Sequence, residues 1–172
     1  QLGNYYDVEV RSKEGGDCAF LVSKTPPQGT SSSASWFSDN IFGISGRYGA
    51  YGAPQDVRVL RDERDRSVDG GRLLEYSFTA LKGNAEVQRR AFVKAVSPPG
   101  SKDVVILVAG TTASRWKKDN GEKISRAVVD SLRVSSSKTN LKKDEASDYR
   151  TYKSKMPDLS PQKEGGGATY RD

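Results

Sequence analysis

Short apolar stretches recur up to Val134, and beyond it the large aliphatics nearly stop, with Leu141, Met156 and Leu159 almost all that remain. The strongest stretch is Val104 to Ala109 (VVILVA), an unbroken β-branched run bounded by Gly110 that predicts a buried central strand. Ile124, Ala127, Val128 and Leu132 follow at helical spacing and predict an amphipathic helix laid back on the sheet after a charged approach, Lys117 to Lys123. Upstream, Asn4 to Arg11 and Cys18 to Lys24 read as two strands around a Gly-Gly turn. Ser31 to Ser33 are placed to cap a short helix with Trp36, Phe37, Ile41 and Ile44 as its apolar stripe. Val57 to Asp62 alternates as a strand. Leu73 to Leu81 puts Leu74, Tyr76, Phe78 and Ala80 on one face. Glu86 to Val96 turns Val87, Ala91, Val93 and Ala95 inward and leaves the other face basic. The predicted order is β-β-α-β-β-β-β-α, its last four strands an antiparallel meander.

That order predicts an α+β domain over residues 1–134, a sheet with a helix laid back on it as the last layer of an α/β sandwich. Residues 135–172 form a polar C-terminal tail rich in Lys, Ser, Asp and Gly, a composition with little to bury against its conformational entropy. The 172 residues are only 34% hydrophobic, and a mean hydropathy of −0.71 agrees with one core plus such a tail. No run approaches the ~20 apolar residues of a membrane helix. The chain starts at Gln1 as a mature sequence with its targeting segment removed is expected to.

A net charge of +6 favours an acidic partner. With no histidine, the commonest general base and metal ligand are missing. Cys18 is the sole cysteine, expected as a small buried residue, so no nucleophile–base pair, phosphate loop or cofactor motif stands out. Arg61 to Arg66 (RDERDR) reads as a self-compensating charged loop, its arginines arguing against calcium on Asp62, Glu63 and Asp65. Trp116 is expected to plug the sheet–helix junction, with Arg115 capping or pairing nearby.

Candidate partner-binding residues fall in two places. In the tail, Lys142, Lys143, Arg150, Lys153 and Lys155 interleave with Tyr149 and Tyr152, a pattern suited to a peptide docking on an acidic protein surface with tyrosine anchors. In the domain the candidates are Arg89, Arg90, Lys94 and Arg115. Asp144, Glu145 and Asp148 dilute the tail's charge and no nucleic-acid motif is present, so nucleic acid is not the expected partner.

Several strings resemble the PsbP-domain family. They are Arg47 to Leu60 (RYGAYGAPQDVRVL), Val68-Asp69-Gly70 with the following strand, Val87 to Val96 (VQRRAFVKAV), Ala109 to Lys118 (AGTTASRWKK) and Val129-Asp130-Ser131-Leu132. The resemblance spans residues 33–134, and the tyrosine-glycine segment points to a PsbP-like paralogue rather than the founding photosystem II subunit. It implies an α-β-α sandwich, location in the chloroplast thylakoid lumen, and a non-enzymatic role. The implied partners are lumenal loops and extrinsic subunits of a photosystem, photosystem II first. Photosystem I, or assembly of a photosystem or of an NADH-dehydrogenase-like complex, is the alternative. Metal sites on family histidines do not carry over, because this chain has none.

Overall fold

A computed structural model describes residues 8–13, 16–44, 46, 48, 53–65, 70–82 and 85–135. The chain divides into two units, Gln1–Ser136 and Ser137–Asp172, and all described residues belong to the first. Its elements are β1 (Val8–Arg11), β2 (Cys18–Lys24), α1 (Ala34–Phe42), β3 (Gln55–Asp65), β4 (Gly71–Lys82), β5 (Ala85–Val96), β6 (Val104–Thr112), α2 (Ala113–Lys118) and α3 (Gly121–Asp130). They build an α+β fold on one six-stranded antiparallel sheet of order β1-β2-β6-β5-β4-β3. The meander β3-β4-β5-β6 follows chain order, and the β1-β2 hairpin joins it against β6.

Side-chain alternation sends the core to both faces of the sheet. On one face Phe20, Val22, Leu74, Tyr76, Phe78, Ala91, Val93, Ala95, Val104, Ile106 and Val108 pack under Phe37, Ile41 and Phe42 of α1. On the other, Leu73, Phe92 and Ala109 pack under Trp116 of α2 and Val129 of α3. Helix α1 starts where Ser33 Oγ accepts the Trp36 amide at 3.2 Å. It ends at Phe42, so the helical period lapses before Ile44, which is 78% exposed, and Phe42 takes the expected inward place. Phe42 stacks on Tyr48 at 5.5 Å between centroids and meets Phe78 at 4.6 Å.

Three further expectations are corrected. Arg61 to Asp65 is strand, not loop: β3 pairs with β4 as far as Asp65↔Gly71, and its charges are tolerated because β3 is a sheet edge with water on its outer side. Arg115-Trp116 sits inside a helix, α2, capped by Thr112 Oγ1, and left-handed Asn120 separates it from α3. The buried face of α3 is Gly121, Ser125 and Val129, with Leu132 just beyond, while Ile124 is 57% exposed and Ala127 exposed. Gly121 sets that rotation. A Cβ there would lie 2.6 Å from Thr111 Cγ2 and 2.9 Å from the Arg115 carbonyl, so only glycine lets α3 approach this closely. Residues 4–7, most of the tyrosine-glycine segment, and parts of the turns at 13–17, 68–71 and 82–84 lie outside the described residues.

Candidate partner-binding surface

Two register shifts in β3, between Gln55 and Arg58 and between Val59 and Arg61, overturn simple alternation. Arg58 faces Ser77 and Arg61 faces Glu75 across the β4 register, so both arginines share one sheet face despite their odd spacing. Arg90 is opposite Ser77 on β5 and joins them. A cleft of about 310 Å³ opens here, lined by Asp56, Arg58, Ser77, Thr79, Gln88 and Arg90 among others. Glu75, 4% exposed, is the carboxylate under this cluster. Arg90 donates to it and Arg61 stands 3.8 Å away. Arg61 also reaches Glu63 at 3.9 Å. Arg58 is exposed, and among the described residues no carboxylate pairs with it. One buried carboxylate thus organises two arginines and leaves a third facing water.

The domain's four sequence candidates are not brought together. Arg90 belongs to the cluster and lies over the Trp116 ring, 5.1 Å from its centroid. Arg89 points to the opposite face, where its Nη2 donates to the Gly16 carbonyl at 2.6 Å and lies 3.5 Å from Cys18 Sγ. Lys94 corrects the expectation of a basic outer face: its side chain is 0% exposed and its Nζ lies 2.7 Å from Asp65 Oδ2, because α2 and α3 cover that part of β5. A buried, paired ammonium is not offered to a partner. Arg115 pairs with Asp17 at 3.2 Å and Asp119 at 3.4 Å, and Trp116, 1% exposed, fills the junction beside Phe92 as expected. The tail candidates Lys142, Lys143, Tyr149, Arg150, Tyr152, Lys153 and Lys155 lie outside the described residues. Cys18 is half-buried rather than fully buried, its Sγ 3.5 Å from the Tyr48 hydroxyl.

Sequence reading missed Arg58 and Arg61 because their spacing places them on opposite faces of a regular strand. Asp56, whose φ of 51° is left-handed, is the local sign of the first bulge. It missed Arg72 too. That guanidinium grips Asp62 at 2.8 and 2.7 Å and donates to the Thr30 and Ser32 carbonyls, tying the approach to α1 onto the sheet. The hydrogen bond from Arg72 holds the Asp62 carboxyl below the usual carboxylate range. Burial pushes the Tyr76 phenol up to about 12.

A second cleft, about 290 Å³ and mainly apolar, lies between the β1-β2 hairpin and α3, lined by Val10, Ala19, Ala109, Gly110, Ile124 and Val128 among others. Among the described residues no group of three or more His, Cys, Asp or Glu is placed to hold a metal ion, and no helix is long and apolar enough to cross a membrane.

No family model matches the chain, and no curated protein matches it. Among solved structures it is similar to the crystal structure of a protein of unknown function from Pseudomonas aeruginosa, with a TM-score of 0.42 and 9% identity over 69% of this chain and 72% of that one.

Proposed function

We propose that this chain is a PsbP-like α-β-α sandwich that works by binding, as a non-enzymatic extrinsic subunit on the lumenal side of photosystem II. The observation that carries a binding role is the convergence of Arg58, Arg61 and Arg90 on one face around Glu75. The strings quoted from residues 33–134 supply the family and with it the thylakoid lumen. In this reading the arginine face meets acidic lumenal loops, and the polar tail adds contact by ordering on binding at an entropic cost.

The test is native separation of solubilised thylakoids, with mass spectrometry of the bands for this chain. Stoichiometric migration with photosystem II is the expected result. Migration with photosystem I, or only with immature complexes, would replace the host or the role. Absence from every complex would remove the binding role. In binding to isolated photosystem II, Arg58→Glu is expected to weaken attachment and flatten its salt dependence.

A further inference from the structure

We infer that the cleft beside Arg58 seats one carboxylate, that of a glutamate or aspartate side chain in an acidic partner loop, an inference resting on the reading of the arginine face as a binding face. Strand register builds the seat. Arg58, Ser77 and Arg90 form one row across β3, β4 and β5. Thr79 and Gln88 form the next row, two residues along β4 and β5, so their side chains stand on the same face. Helix α2, which closes this face over Phe92, begins at Ala113, and Ala113 lines the cleft. The two rows therefore lie just past the helical cover, around a space of about 310 Å³ that holds one side chain and its waters.

What these side chains already hold decides what the cleft takes. Arg90 is matched by Glu75, and Arg61 lies near Glu75 and Glu63. Arg58 is exposed and, among the described residues, has no carboxylate partner. Ser77 and Thr79, both half-buried, and Gln88 make no side-chain hydrogen bond among the described residues. The cleft thus offers one unmatched guanidinium with two hydroxyls and an amide around it. A carboxylate accepts two parallel bonds from a guanidinium fork and keeps lone pairs for the hydroxyls. The amount of charge narrows the ligand further. Arg89 also lines the cleft but spends its Nη2 on the Gly16 carbonyl across the sheet. Asp56, exposed and left-handed at the bulge that brings Arg58 onto this face, puts a negative charge on the rim. A phosphate group, carrying about −1.5 to −2 at neutral pH, exceeds what Arg58 balances and is repelled by Asp56. A single carboxylate matches it.

The test is an NMR titration of the isotope-labelled full chain with a blocked glutamate–glycine peptide, beside its glutamine and phosphoserine counterparts. With the glutamate peptide, the signals of Arg58, Ser77, Thr79 and Gln88 should move. They should move less with phosphoserine and stay in place with glutamine. Arg58→Gln should weaken glutamate-peptide binding about tenfold, the loss of a charge-assisted pair. Asp56→Asn should strengthen it and narrow the gap to phosphoserine. The basic residues of the tail also attract an acidic peptide, so shifts confined to residues 136–172 would overturn the inference. So would glutamine or phosphoserine peptides that bind here as tightly as glutamate, or Arg58→Gln binding like wild type. A chain that attaches to photosystem II through Arg58 yet takes no glutamate peptide in the cleft would overturn this inference alone. A chain that takes the peptide here but migrates with no complex would support the carboxylate seat and remove the photosystem role.

Discussion

The face of the sheet under α1 is closed by rings, and the face under α2 and α3 is closed around charges. Under α1, Phe42, Tyr48, Tyr76 and Phe78 contact one another edge-on, tilted or stacked. Under α2 and α3, Phe92 and Trp116 share the space with Lys94 and Asp65, while Glu75 and Arg90 pair beside them. Ring packing holds by area and shape, so its cost of failure is the cavity left behind. The charged face holds by pairing, so removing one partner leaves a buried ion without compensation. The arginine cluster lies on the charged face, where the network that positions Arg61 and Arg90 reaches the surface beside the exposed Arg58.

The largest effects should come from breaking each face at its centre. Lys94→Met removes the ammonium 2.7 Å from the buried Asp65 carboxylate and should cost about 3–5 kcal/mol in chemical denaturation. Adding Asp65→Leu should recover most of that loss. Phe42→Ala should cost about 3–5 kcal/mol by opening a cavity, and no single charge change should repair it. If Lys94→Met alone proves neutral, the charged face is not held by pairing.

Smaller effects should separate the faces by pH. Tyr76 donates to the Ala34 carbonyl at 3.3 Å, and Tyr76→Phe should cost about 1 kcal/mol at neutral pH. Its raised pKa makes a second signature. The folded state keeps the phenol protonated after the unfolded chain has ionised, so stability is lost as pH rises from 10.0 to about 12. Tyr76→Phe should flatten that alkaline decline. Asp62 has the opposite sign. Its lowered pKa contributes stability above the ordinary carboxylate value of 3.8, and this is lost as pH falls through the folded value. Asp62→Asn should make acid unfolding less steep in urea midpoints measured below about pH 5. The smallest effect is Arg58→Glu, expected to leave stability within about 0.5 kcal/mol while weakening partner binding. A large loss of stability there would make Arg58 part of the scaffold.

Local pattern carried much of the fold. β2 runs over the residues predicted, Cys18–Lys24, because its limits are set by a Gly-Gly turn and by Pro26-Pro27. Ser33 caps α1 as expected, since a cap depends on neighbours three residues away. The inward row Leu74, Tyr76 and Phe78 was legible because β4 keeps strict alternation against β5. Less of the candidate surface was legible. Arg90 and Lys94 share a face of β5 as their spacing requires, but helices cover Lys94, and Arg89 and Arg115 are held in other contacts.

What the sequence determined by itself, then, was the antiparallel meander, the capped helix and the change of composition after Val134. These follow from short-range periodicity, turn chemistry and composition. The tertiary structure alone decided that Lys94 is buried, that Arg58 and Arg61 share a face and that Ile124 turns outward. Alternation says which residues lie together on a strand but not which face a helix will cover. A bulge changes the period at one residue, and a helix takes its rotation from the closest contact it can make, here at Gly121.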